Sequence, residues 1–220
     1  MYEKFGQFID GKWQPSEKNE TYEVINPANE EIIGHASKAT PADVDKALKS
    51  AEKGLEVWKK TSPWKRSAVI RKIADLIRAK QDVLAKWLTL EVGKPFAEGK
   101  GEVGATADIF EWNSEETKRI YGQTVESRFE DTRIHVYYQP IGVVAAMSPW
   151  NFPLVLSGRK ISTALAAGCS VIIKPDTIAP GGVMELVDIC REAGVPPGVV
   201  NLLSGDPPSI ASQLISSDII

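Results

Sequence analysis

Apolar residues change their spacing along the chain, and each spacing predicts a different kind of element. The first 40 residues contain two segments in which apolar residues occur in short groups, FIDGKW and then YEVINPANEEIIGHAS. These segments predict hairpin strands with a turn at residues 26–29. From there to about residue 120 apolar residues recur at helical spacing, which predicts four helices. The first begins after Thr40, the second after Ser62, the third ends at Gly93, and the fourth spans roughly 95–120.

A different pattern begins at Pro140. Three continuous apolar runs, GVVAAM, SVIIK and VVNLL, alternate with helical segments near 154–167, near 181–193 and after a Gly-Asp-Pro-Pro loop. Continuous apolar strands between helices are typical of a parallel sheet that is buried on both faces, so this part predicts a doubly wound α/β fold. Residues 133–139 alternate and also predict a strand, for which no hairpin partner is evident nearby.

Composition narrows the class of protein. The chain has 26 basic and 29 acidic residues, a formal charge of −3 and no long run of one sign, so we expect neither a nucleic-acid nor a membrane partner. No stretch approaches the about 18 apolar residues of a membrane span, and the N-terminus lacks the apolar core of a secretory signal. The two cysteines make no disulfide framework, so we expect a reducing, cytoplasmic compartment.

Two glycine-rich segments imitate phosphate-binding motifs. Residues 99–104, GKGEVG, match the dinucleotide fingerprint, but no buried strand precedes them. Residues 6–12 nearly match a phosphate loop, but Trp13 stands where a serine or threonine must bind magnesium. We therefore predict that neither segment binds phosphate, and that the second is a hairpin turn.

The segment SPWNFP, residues 148–153, joins a predicted buried strand to a helix. Ligands of open α/β sheets bind at the carboxyl ends of the strands, which is where this segment lies. The Asn151 amide could there stabilise a developing oxyanion. Alternatively, Asn151 caps the following helix and Trp150 belongs to the core. The spacing alone leaves both interpretations open.

The next strand ends in a second polar segment, which contains Lys174, Asp176 and Thr177. In nucleotide-binding folds an acidic residue at about this distance binds the ribose hydroxyls. Lys174 could donate to the same hydroxyls or meet a 2′-phosphate. The alternative is an ordinary solvated strand end, which needs no ligand.

Longer motifs extend this picture to the whole chain. PIGVVAAMSPWNFPL, ALAAGCSVIIKPD and AGVPPGVVNLLSG follow one another in order, after FIDGKW, INPANEE, PWKR and EVGKP. Together they resemble the aldehyde dehydrogenase superfamily, and most of all its succinate-semialdehyde-dehydrogenase-like branch. The resemblance implies the N-terminal portion of that fold: a hairpin and helices in 1–115, an oligomerisation strand in 116–140, and an incomplete Rossmann-like NAD(P)-binding core in 141–220, without a catalytic domain.

The resemblance also implies a reaction, the NAD- or NADP-dependent oxidation of a small aldehyde to a carboxylic acid through a cysteine thiohemiacetal. Asn151 would be the oxyanion donor. The expected coenzyme-binding residues are Ser148, Pro149 and Trp150 beside the nicotinamide, Lys174, Asp176 and Thr177 at the ribose, and Gly205 and Ser209 at the phosphate or adenine end. The family often has glutamate where Thr177 stands, so NADP is tolerated here, while Asp176 partly restores a preference for NAD. Pro207 and Ala211 replace glycines that are common in the family, which weakens the expected pyrophosphate contact.

The family's nucleophilic cysteine and general-base glutamate have no counterpart here. Cys169 and Cys190 lie in apolar contexts without a nearby positive group or base, and we expect both to be structural. The chain is therefore expected to be truncated and inactive alone, with an exposed sheet edge that a homo-oligomer or the remainder of the full-length enzyme covers. The alternative is a non-catalytic nucleotide-binding or assembly module.

Overall fold

The computed structural model describes residues 2–220, and its elements follow the predicted order. The strands are β1 Gln7–Ile9, β2 Lys12–Gln14, β3 Thr21–Ile25, β4 Ile32–Ser37, β5 Gln123–Glu126, β6 Arg133–Val136, β7 Val143–Met147, β8 Ser170–Lys174 and β9 Val200–Leu202. The helices are α1 Pro41–Trp58, α2 Pro63–Ala79, α3 Gln81–Val92, α4 Phe96–Glu116, α5 Pro153–Ala167, α6 Gly181–Ala193 and α7 Pro207–Ile215. Among the described residues, no helix has both the length and the apolar character needed to cross a membrane.

Local chemistry accounts for where the first helices begin and end. Thr40 and Asp43 form a reciprocal capping box at α1, because each side chain accepts a hydrogen bond from the backbone N–H of the other. The Ser62 side chain caps α2 by accepting from Lys65. At the end of α3, Gly93 takes the left-handed conformation, with φ of 73°. The three predicted boundaries are confirmed.

The central sheet has five strands in the order β2-β1-β9-β8-β7. β7, β8 and β9 are parallel, as the three apolar runs predict. The N-terminal hairpin joins the same sheet, because β1 pairs antiparallel with β9 at Phe8 and Leu202. Residues 6–12 contain β1, the two-residue turn of that hairpin at Asp10 and Gly11, and the first residue of β2, while the GKGEVG segment lies inside α4.

Helices cover both faces of this sheet. Along β8, Val171 and Ile173 point into a core that contains residues of α2 to α6, whereas Ile172 points into a second core with α1 and α7. All five residues of β8 are buried. This is the arrangement that a continuous apolar strand between helices predicts.

The hairpin of β5 and β6 corrects one prediction. The sequence shows no evident hairpin partner near the strand at 133–139, but β6 pairs antiparallel with β5, from Gln123 opposite Val136 to Glu126 opposite Arg133. β6 also ends at Val136 rather than at 139. The partner is hard to recognise in the sequence because β5 is short and the charged loop between the strands carries no turn signature. Every residue of both strands is exposed.

Candidate functional site

The two polar segments of the sequence meet at the carboxyl ends of β7 and β8. Met147 and Lys174 are the last residues of these strands and lie opposite each other in the parallel register. One residue further on, the Ser148 N–H donates to the Lys174 carbonyl, at 3.2 Å. The SPWNFP and KPDT segments therefore emerge side by side at the rim where open α/β sheets bind their ligands.

The side chain of Asn151 is exposed and free of internal partners. No hydrogen bond of its amide occurs among residues 2–220, and the N-cap position of α5 belongs to Phe152, which makes no side-chain cap. Trp150 is 47% exposed. The alternative interpretation, a capping Asn151 with a core Trp150, is therefore wrong.

The first two residues of this segment differ in burial. Ser148 is buried, and its hydroxyl lies 2.7 Å from the Ser157 hydroxyl in α5. Pro149 is exposed at the rim. Ser148 thus fastens the loop to α5, whereas Pro149, Trp150 and Asn151 form its outer surface.

The start of α5 is capped from a different helix. Glu102 of α4 accepts hydrogen bonds from the backbone N–H groups of Leu154 and Val155, at 2.9 and 3.2 Å. Sequence reasoning rejects the GKGEVG segment as a phosphate loop and so misses this glutamate. No local signal identifies it, because its partners lie 52 and 53 positions away.

Lys174 is almost completely buried, and its ammonium donates to the Pro175 carbonyl at 2.8 Å. Burial lowers the pKa of Lys174, and the negative charges of Asp176 and Asp206 oppose this shift. The Asp176 carboxylate accepts from the Ile178 N–H at 3.1 Å, so it is partly engaged within its own loop. A strand end with a buried ammonium is not an ordinary solvated one.

A cavity of about 320 Å³ opens beside this strand end. Its walls contain two predicted residues, Thr177 and Gly205, together with residues from β3, from the segment after β4 and from the start of α7: Thr21, Tyr22, Lys38, Asp206 and Pro207. Sequence reasoning misses Tyr22 and Lys38, since only the docking of β3 and β4 brings them here.

Gly205 allows the backbone after β4 to pack closely against one wall of this cavity. Its φ is 144°, and a Cβ atom there would stand 2.8 Å from the Ala39 backbone nitrogen. No other residue fits that position without moving the backbone. Steric constraints therefore explain why glycine occupies this position, at the wall where a ligand would lie.

The first turn of α7 is not a ready phosphate site. Pro207 and Pro208 have no N–H group, and the Ser209 N–H already donates to the Asp206 carboxylate at 3.0 Å. Among the described residues, Ser209 is not part of the cavity wall. These contacts give a structural reason for the weakened pyrophosphate contact that Pro207 leads us to expect.

Both cysteines are buried. Burial raises the pKa of Cys190 to about 12, so its thiolate is scarce near neutral pH. Cys169 departs from the prediction in one respect, since it does have a positive group nearby. The guanidinium of Arg66 lies close enough to interact with it electrostatically. Within residues 2–220, no group of three or more His, Cys, Asp or Glu side chains is placed to hold a metal ion.

Comparison with known proteins agrees with this geometry. The model of the aldehyde dehydrogenase family matches residues 13–220. Glutarate-semialdehyde dehydrogenase of Pseudomonas putida is 39% identical over 213 residues, which are 97% of this chain and 44% of that protein. Succinate semialdehyde dehydrogenase of Acinetobacter baylyi is 41% identical over 210 residues, which are 96% of this chain and 44% of that protein.

Solved structures give the same result. The crystal structure of an NADP-dependent enzyme of Escherichia coli superposes with a TM-score of 0.96 at 38% identity, over 97% of this chain and 44% of that one. The chain thus spans less than half the length of these relatives and matches the N-terminal portion of their fold. The two-faced parallel sheet, the rim segments and these similarities together establish that the chain belongs to the aldehyde dehydrogenase family.

Proposed function

We propose that this chain is the coenzyme-binding part of an NAD(P)-dependent dehydrogenase that oxidises a semialdehyde to a carboxylic acid. The observation that carries the proposal is the unpaired amide of Asn151 on the same rim as the buried Lys174 and the neighbouring cavity. The names of the relatives, which are semialdehyde dehydrogenases, support the substrate class.

The residues at the adenosine end fit either coenzyme and favour NADP. Lys174 and Thr177 would bind the ribose. No carboxylate occupies position 177, and Lys38 lines the same cavity without an ion-pair partner among residues 2–220. A lysine that is not neutralised attracts a 2′-phosphate, whereas a glutamate would repel it.

NAD(P), when bound, supplies the hydride acceptor for the oxidation. The chain's own contribution at the other end of the site is Asn151, whose amide would donate to the oxygen of the aldehyde as negative charge develops there. Such a donor typically contributes about 10²- to 10³-fold to the rate. Trp150 and Phe152 are exposed beside it and would exclude water from the nicotinamide side.

We expect residues 1–220 by themselves to bind coenzyme and to oxidise aldehydes negligibly. A thiolate nucleophile must be accessible and ionised, and both cysteines are buried. The same observation favours the second candidate, a non-catalytic nucleotide-binding or assembly module. Turnover of succinate or glutarate semialdehyde by this chain at rates typical of an enzyme would contradict the expectation.

Calorimetric titration of the chain with NADP and with NAD tests the coenzyme site. We expect both coenzymes to bind. In Lys38→Gln the affinity for NADP should fall by about three- to tenfold and that for NAD should hardly change, because one exposed charge–phosphate contact is lost. Lys86→Gln is the matched control, since Lys86 is exposed on α3 and lines no part of this cavity. If neither coenzyme binds, the proposed function is wrong.

A further inference from the structure

We propose that Lys94 and Glu102 are positioning residues that hold the Asn151 loop in its working geometry. This inference rests on the proposed function, because it concerns how the oxyanion donor is aimed. Neither side chain lines the coenzyme cavity or contacts the Asn151 side-chain amide. Both act through the backbone of residues 151–155.

Glu102 holds the start of α5. One carboxylate oxygen accepts from the N–H groups of Leu154 and Val155, and the other accepts from the Lys94 ammonium. The carboxylate thereby replaces the cap that Phe152 does not provide. It also places a negative charge at a helix N-terminus, where the helix dipole favours it.

Lys94 holds the residue that carries the donor. Its ammonium pairs with Glu102, donates to the backbone carbonyl of Asn151 at 3.2 Å, and lies 3.8 Å from the centre of the Phe152 ring. It therefore contacts the peptide group next to the Asn151 side chain and the aromatic ring that follows.

Burial makes this arrangement costly to change. The side chains of Lys94 and Glu102 are only 9% and 1% exposed. A buried charge that loses its partner is strongly destabilised, so each residue keeps the other in place. The Asn151 side chain has no hydrogen bond to residues 2–220, so its direction depends on the backbone that this pair holds.

Nuclear magnetic resonance of the ¹⁵N-labelled chain tests the proposal. In Lys94→Met we expect the Asn151 side-chain amide signals to shift or broaden, and hydrogen exchange at the Leu154 and Val155 amides to quicken by about tenfold as the Glu102 carboxylate loosens. Lys94→Arg should restore most of both properties, because guanidinium can donate to the same two acceptors. Lys100→Met is the control: like Lys94, Lys100 pairs with a carboxylate, that of Asp82, and stands near an aromatic ring, that of Phe96, but it makes no contact with the loop.

Addition of NADP separates this inference from the proposed function. In the unaltered chain NADP should perturb the Asn151 side-chain signals and the backbone amides of Thr177 and Gly205. In Lys94→Met the response at Thr177 and Gly205 should persist, while the Asn151 response is lost.

The outcomes are distinct. Asn151 signals in Lys94→Met that match the unaltered chain overturn the positioning role. A lack of response at Thr177 and Gly205 in the unaltered chain overturns the coenzyme site instead. Should Lys94→Met fail to fold, Glu102→Gln is the second variant: it keeps the shape, turns an amide toward the ammonium, and is expected to alter Asn151 in the same direction.

Discussion

At the scale of single residues, Glu91 has the most unusual environment. It has no exposed surface, and it accepts hydrogen bonds from the Tyr2 hydroxyl and from the N–H groups of Gly181 and Gly182, the latter two at 2.7 and 3.1 Å. Burial raises the pKa of Glu91 from 4.5 to about 7, although these hydrogen bonds favour the ionised form. A structural carboxylate thus titrates near neutral pH.

This pKa predicts a pH-dependent stability. Because the folded state binds the proton more tightly than the unfolded state, the stabilisation is complete below pH 4.5 and disappears as the pH rises through about 7. The free energy of unfolding should fall by about 3 kcal/mol across that window. In Glu91→Gln, which stays neutral, this part of the fall should be absent.

Urea unfolding at half-unit steps from pH 5 to pH 8 measures the difference. The variant should be close to the unaltered chain at pH 5 and relatively more stable at pH 8. Glu52→Gln, at an exposed position of α1, is the control and should keep the original slope. Parallel curves for Glu91→Gln and the unaltered chain would show that Glu91 does not titrate in this range.

At the scale of elements, the crossing of α4 and α5 decides where the site loop begins. Gly158 of α5 faces Thr106 of α4, and a Cβ atom at Gly158 would lie 2.7 Å from the Thr106 methyl and 3.3 Å from the Phe110 ring. The two helices approach closely because the glycine has no side chain. Glu102 reaches the start of α5 only at this close approach.

Gly158→Ala should therefore destabilise the chain by about 1–3 kcal/mol, because the added methyl overpacks a buried contact. Combining it with Thr106→Ser, which removes the clashing methyl and keeps the hydroxyl that donates to the Glu102 carbonyl at 2.8 Å, should recover most of the loss. Gly101→Ala in α4 is the opposite control, since nothing lies within 4 Å of its Cβ and alanine favours a helix. Thermal unfolding of the unaltered chain, Gly158→Ala, the double variant and Gly101→Ala tests this prediction. Equal losses of stability in Gly158→Ala and Gly101→Ala would refute the steric explanation.

At the scale of the whole molecule, two parts of the exposed surface are apolar. β7 is the last strand of the sheet, so its outer edge has no strand partner among residues 2–220, and an apolar-walled cavity of about 410 Å³ lies beside it. The β5–β6 hairpin has one apolar side, formed by Val125, Ile134 and Val136, and a polar side with Thr124 opposite His135. Exposed apolar surfaces of this kind are typical of contact sites.

Because the hairpin has an exposed apolar side, we expect the chain to self-associate, as the expected homo-oligomer requires. Replacing the cross-strand pair Val125 and Ile134 by lysine and glutamate should keep the strands paired through opposite charges while removing the apolar side. We expect the sedimentation coefficient to fall to that of a monomer at about 10 μM protein. The same replacement of Thr124 and His135, on the polar side, should leave it unchanged; monomeric behaviour of the unaltered chain would contradict the prediction.

The sequence by itself determined the elements except β5, the parallel part of the sheet and the rim segments that contain Asn151, Lys174 and Thr177. These features depend on spacing and caps within a few neighbouring residues, which the sequence displays directly. Only the tertiary structure decided that β1 joins β9, that β5 pairs with β6, and that Lys38 and Thr177 line the same cavity. It also decided that Glu102 holds α5, since residues about 50 positions apart meet through packing, for which no local pattern exists.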